Sequence, residues 1–62
     1  MTYNTEWVDE YKFLNSVLDG GMTLRKITPV LRDRFGHTLR LSRSIVGSFM
    51  SNFDELKKDG VI

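Results

Sequence analysis

The stretch from Gly36 to Phe53, GHTLRLSRSIVGSFMSNF, holds Arg40, Arg43, His37 and four serines, and no acidic residue. Arginine and histidine can meet phosphate oxygens, and arginine can also bridge the O6 and N7 acceptors of guanine. Serine hydroxyls both donate and accept, so they can serve bases or phosphates. Such a set suits a large anionic partner, or the close approach of another backbone. Catalysis has less to draw on. A nucleophile needs an oriented base beside it, and His37 is the sole imidazole, in a predicted loop. The carboxylates Glu6, Asp9 and Glu10 fit the start of a helix better than an acid–base pair. No cysteine is present, so disulfides and thiolate metal sites are excluded, and a single histidine excludes a histidine-rich zinc site. There is no Walker loop and no dinucleotide fingerprint. The expectation is a binding protein rather than an enzyme, with no catalytic residues, no metal and no cofactor.

Side chains of this kind work only on a scaffold, and 62 residues allow a single domain, 1–62, with one small core. Trp7, Tyr11, Leu14 and Leu18 recur at i, i+4, i+7 and i+11, one helical stripe that predicts a helix over 5–18. Asn4 or Thr5 can cap it, and Gly20-Gly21 stops it. Thr23 can cap a second helix over 24–35, with Ile27 and Leu31 inward. Pro29 falls inside that run. Either the helix carries it with an irregular first half, or Thr28 is the cap and Pro29 the first helical residue. Gly36 closes the run. A connection over 37–41 follows, with Ser42 as the next cap. Ile45, Phe49, Phe53 and Leu56 then form the third stripe, on a helix over 43–52. Ser51 and Asp54 have capping-box spacing, so the chain either starts a short fourth helix there or continues helical to Lys58. The predicted fold is all-α, a three-helix helix-turn-helix-like bundle with a possible short C-terminal extension helix. Its core is Trp7, Tyr11, Leu14, Leu18, Ile27, Leu31, Ile45 and Phe49, extended by Phe53 and Leu56.

Charge is distributed unevenly. Residues 1–22 carry Glu6, Asp9, Glu10 and Asp19 against Lys12, a sum of −3. Residues 23–53 carry Arg25, Lys26, Arg32, Arg34, Arg40 and Arg43 against Asp33, a sum of +5. Residues 54–62 sum to −1, from Asp54, Glu55 and Asp59 against Lys57 and Lys58. A basic middle between acidic ends suggests one basic face. No apolar run approaches a membrane span, and the N-terminal sequence lacks the pattern of a secretory signal; a cytoplasmic protein is expected.

With Ile45 and Phe49 inward, Ser44, Gly47, Ser48 and Ser51 fall largely on the outer face of the third helix, with Arg43 at its first position. A helix that enters the major groove reads base edges with its N-terminal residues. Arg25, Lys26, Arg32, Arg34, His37 and Arg40 are candidate phosphate contacts. The same small residues could instead pack against a second copy or another protein. Gly47 costs about 1 kcal/mol of helix propensity relative to alanine, which points to close approach by a partner of either kind.

Trp7, Leu14, Gly20-Gly21, the pair Ile27 and Leu31, and the run Ser42-Arg43-Ser44-Ile45-Val46 together resemble the trihelical DNA-binding domains of the Myb/SANT and homeodomain-like class. The GcrA-like bacterial and phage regulators are most similar in pattern. The similarity spans most of 5–53 and departs from the family at Pro29 and in a connection from Phe35 to Ser42 longer than the usual tight turn. The resemblance implies sequence-specific binding of double-stranded DNA and a role in transcription regulation, with Arg43 and Ser44 as recognition-helix positions. The alternative is a small interaction module, docking on a larger protein such as the transcription machinery or forming a homodimer.

Overall fold

The computed structural model describes residues 3–62. A single 3-10 turn, Thr5–Trp7, runs into α1, Val8–Asp19. Helices α2, Leu24–Phe35, and α3, Leu39–Ser51, follow, and α4, Phe53–Lys58, ends the fold. No strand occurs among the described residues, so the all-α expectation holds and the fourth short helix is present.

Asn4 opens the first segment, its Oδ1 accepting from the backbone N–H of Glu6 at 2.9 Å. Asp9 and Glu10 lie in the first turn of α1, at the positive end of its dipole. The helix closes in a Schellman motif. Gly21 N–H donates to Leu18 and Met22 N–H to Val17, both at 3.0 Å, and Gly21 takes a φ of 92°, which glycine adopts without a Cβ penalty.

Helix α2 runs unbroken through Pro29, so Thr28 is not its cap. Pro29 is exposed, so the Arg25 carbonyl, which loses its helical donor to the ring, can turn to water. Thr23 stands at the N-cap, but its hydroxyl makes no capping bond.

Helix α3 begins at Leu39, four residues before the predicted 43. The cap is Thr38, whose Oγ1 accepts from Leu41 N–H at 3.1 Å, and not Ser42. The connection from α2 is therefore only Gly36, His37 and Thr38, a tight turn where a long one was expected. Ser42 belongs to the inner stripe with Ile45 and Phe49. At Asn52 the helix breaks: its N–H and its Nδ2 both donate to the Ser48 carbonyl, at 3.0 and 2.8 Å. Asn52, not Ser51, then stands at the N-cap of α4, without a side-chain cap bond.

Among the described residues seven apolar side chains are fully buried: Tyr11 and Leu14 of α1, Ile27 and Leu31 of α2, Ile45 and Phe49 of α3, and Leu56 of α4. Each contributes roughly 1.5–3 kcal/mol by leaving water. Trp7, Leu18 and Phe53, expected in the core, are half-buried against its edge. Leu18 keeps its place on the α1 stripe, whereas Trp7 lies in the 3-10 turn and Phe53 opens α4 rather than continuing α3, and a domain of this size has too little chain to cover its ends. Trp7 meets Tyr11 edge-on, with ring centroids 6.5 Å apart. Tyr3 Oη donates to Asp59 Oδ2 at 2.7 Å, linking the segment before α1 to the end of α4.

Candidate nucleic-acid interface

Helix α3 divides cleanly by the periodicity of its sequence. Ser42, Ile45 and Phe49 face the core, while Arg40, Arg43, Ser44, Gly47 and Ser51 are all exposed. The exposed residues fall at i, i+3, i+4, i+7 and i+11, one face of a helix roughly 20 Å long. Because α3 starts earlier than predicted, Arg43 is its fifth residue, and Arg40 occupies the first turn instead. A Cβ built at Gly47 would meet nothing within 4 Å. No contact inside the chain therefore requires glycine there.

Ser48 does not join that face. Its Oγ shares a hydrogen bond with Tyr11 Oη at 2.9 Å and lies 3.3 Å from Asn52 Nδ2. It is a tertiary contact, not an outward group. His37 is likewise engaged within the fold. Its Nε2 lies 2.8 Å from Glu10 Oε2, and its ring stacks on Phe35 with an interplanar angle of 9°. The sequence suggested neither bond, because each partner lies far back on α1.

The cations of α2 fall into two groups. Arg25 and Lys26 are exposed in the first turn, and neither side chain makes a bond to another described residue. Arg32 and Arg34 lie in the last turn. Arg32 Nε pairs with Asp33 Oδ1 at 3.1 Å on the surface. The Arg34 guanidinium sits over the rings of Phe13 and Phe35, at 5.7 and 5.5 Å from their centroids. Among the described residues, the candidates with no side-chain partner are thus Arg25, Lys26, Arg40 and Arg43.

Helix dipoles place these four in context. α1 and α4 obey the usual rule, with Asp9 and Glu10, and Asp54 and Glu55, in their first turns. α2 and α3 reverse it. Neither has an acidic residue in its first turn, and Arg25, Lys26 and Arg40 add formal positive charge to the positive helix ends. An anion placed there would interact favourably with dipole and side chains together.

Three exposed apolar side chains on α3 were not foreseen as part of a surface: Leu39, Leu41 and Met50, at 40, 36 and 47% exposure. The apolar character of positions 39 and 41 was visible in the sequence, but with the helix started at 43 they fell in a loop.

Elsewhere, an open cleft of about 480 Å³ lies between the end of α1 and the start of α2, lined by Val17, Gly20, Gly21, Met22, Thr23 and Lys26. It offers no carboxylate or imidazole. No cluster of three metal-ligating side chains exists among the described residues. No helix among them is long and apolar enough to cross a membrane. Compared with known protein families, curated proteins and solved structures, the chain matches none.

Proposed function

We propose that the protein binds double-stranded DNA sequence-specifically, as a transcription regulator of helix-turn-helix type, with α3 as the recognition helix. The observation that carries this reading is the reversed charge at the starts of α2 and α3. Two positive helix ends that also bear Arg25, Lys26 and Arg40 suit phosphate oxygens. The acid-free outer face of α3 adjoins one of them, and Arg43, Ser44, Gly47 and Ser51 on that face are the candidates for base edges. The three-residue turn Gly36–Thr38, with Gly36 at a φ of 73°, supports the helix-turn-helix assignment. It also removes one of the departures from the homeodomain-like pattern.

A second reading draws on Leu39, Leu41 and Met50. Exposed apolar side chains on the same helix favour a protein partner, such as a second copy or a component of the transcription machinery, over a nucleic acid.

Gly47→Glu separates the two. The position is open, so the variant is expected to fold with the parent's helical content. It brings bulk and negative charge to the centre of the outer face. On the DNA reading its affinity for a random-sequence duplex falls at least a hundredfold in a fluorescence-anisotropy titration. Undiminished binding by Gly47→Glu refutes α3 as the recognition helix. A parent that ignores duplex but loses self-association on the same substitution supports the second reading.

A further inference from the structure

Two consecutive residues of α1 hold α3 near both of its ends. Glu10 reaches His37, two residues before α3 begins, with Oε2 and Nε2 2.8 Å apart. Tyr11 reaches Ser48, close to the end of α3, with Oη and Oγ 2.9 Å apart. Ser48 lies nine positions after Leu39, the first residue of α3, about 14 Å along the helix axis, and His37 precedes that start. Each contact is further fixed. His37 is flanked by the left-handed Gly36 and the capping Thr38 and is stacked on Phe35. Tyr11 Oη also accepts from the Asn4 backbone N–H at 3.2 Å. Glu10 is only 7% exposed, and a carboxylate so far removed from water needs a partner.

Apolar burial is non-directional, so the shared core of Ile45 and Phe49 leaves α3 some freedom to rotate about its axis or tilt. Hydrogen bonds at two separated points remove that freedom. We propose that Glu10–His37 and Tyr11–Ser48 form a two-point clamp that sets the orientation of α3, making these four positioning residues for base recognition rather than DNA contacts. The proposal rests on the DNA-binding reading above. Its consequence is that loss of either contact reduces sequence discrimination while leaving the phosphate contacts in place.

The test uses the parent and four variants, Glu10→Ala, Glu10→Gln, Tyr11→Phe and His37→Phe, at a temperature where circular dichroism shows each folded. Glu10→Ala and Glu10→Gln carry the same charge, and only the second can still hydrogen-bond His37. Tyr11→Phe removes a hydroxyl and keeps the ring. Each is titrated against a random-sequence duplex pool at several salt concentrations, and the bound fraction is sequenced. The expected result is an unchanged salt slope throughout. Enrichment of the parent's preferred sequence falls about tenfold for Glu10→Ala and Tyr11→Phe, and is restored in Glu10→Gln. In the free proteins, N–H residual dipolar couplings should show α3 reoriented on α1 in Glu10→Ala and Tyr11→Phe, and unmoved in Glu10→Gln. Unchanged couplings in Glu10→Ala and Tyr11→Phe overturn the clamp, as does unchanged enrichment. A salt slope reduced by about one in His37→Phe, which keeps the stacked ring, overturns the positioning role of His37 by making it a phosphate contact. A parent that binds no duplex refutes the DNA reading itself. The couplings still decide the clamp in that case.

Discussion

Ser42 shows how a single atom can sit at odds with its surroundings. The residue is fully buried, and its Oγ has no hydrogen-bond partner among the described residues. A buried hydroxyl left unpaired costs about 1–3 kcal/mol, and alanine fits a helix better than serine. Ser42→Ala is therefore expected to raise stability by about 1 kcal/mol in urea unfolding; a loss of stability would mean the hydroxyl is paired after all. Tyr3 presents the opposite case, a group well paired at the surface. Its hydrogen bond to Asp59, together with desolvation and the nearby carboxylates of Asp59 and Glu55, pushes its phenol up from 10.0 to about 12. Because the folded value lies above the unfolded one, the stability this bond contributes is fully present below pH 10 and is lost as pH rises through about 12. Phenolate absorbance should place the Tyr3 midpoint near 12, and Asp59→Ala should bring it back toward 10. A Tyr3 midpoint near 10 in the parent would rule the bond out.

At the level of the helices, Gly47 links stability to function. The position is helical, exposed and open, so Gly47→Ala should stabilise the fold by about 1 kcal/mol. If a DNA backbone or base edge approaches closely there, the same methyl should weaken duplex binding; tighter or equal binding by this more stable variant would show that nothing approaches Gly47. The outer face on which it lies was legible in the sequence, because the period of 3.6 fixes which residues oppose Ile45 and Phe49 wherever the helix starts. The bounds of α2 were legible for a similar reason, since Thr23 and Gly36 flank an intact stripe. The start of α3 was not. Thr38 and Ser42 are both good caps, and starting the helix at Leu39 adds only Ser42 itself, not a large apolar side chain, to the buried stripe. The roles of His37 and Ser48 were also hidden. Their partners lie 27 and 37 residues earlier in the chain, and no local pattern encodes such pairings.

For the molecule as a whole, the charge asymmetry of the sequence becomes an asymmetry of helix ends. Asp9, Glu10, Asp54 and Glu55 stand in the first turns of α1 and α4, where they complement the dipoles, while Arg25, Lys26 and Arg40 stand in the first turns of α2 and α3, where they reinforce them. The segment totals of −3, +5 and −1 foretold a basic middle, but not that Arg32 and Arg34 would be engaged within the fold while Arg25, Lys26, Arg40 and Arg43 have no side-chain partner among the described residues. The count of available cations makes the central claim quantitative. Each phosphate neutralised on B-DNA contributes about −0.9 to the slope of log K against log salt concentration. The decisive measurement is a titration of the purified protein against random-sequence duplex DNA at several salt concentrations. With Arg25, Lys26 and Arg40 on phosphates and Arg43 on base edges, DNA binding predicts affinity that falls steeply with salt, with a slope of about −3. No binding at low salt, or binding whose slope is close to zero, would contradict it.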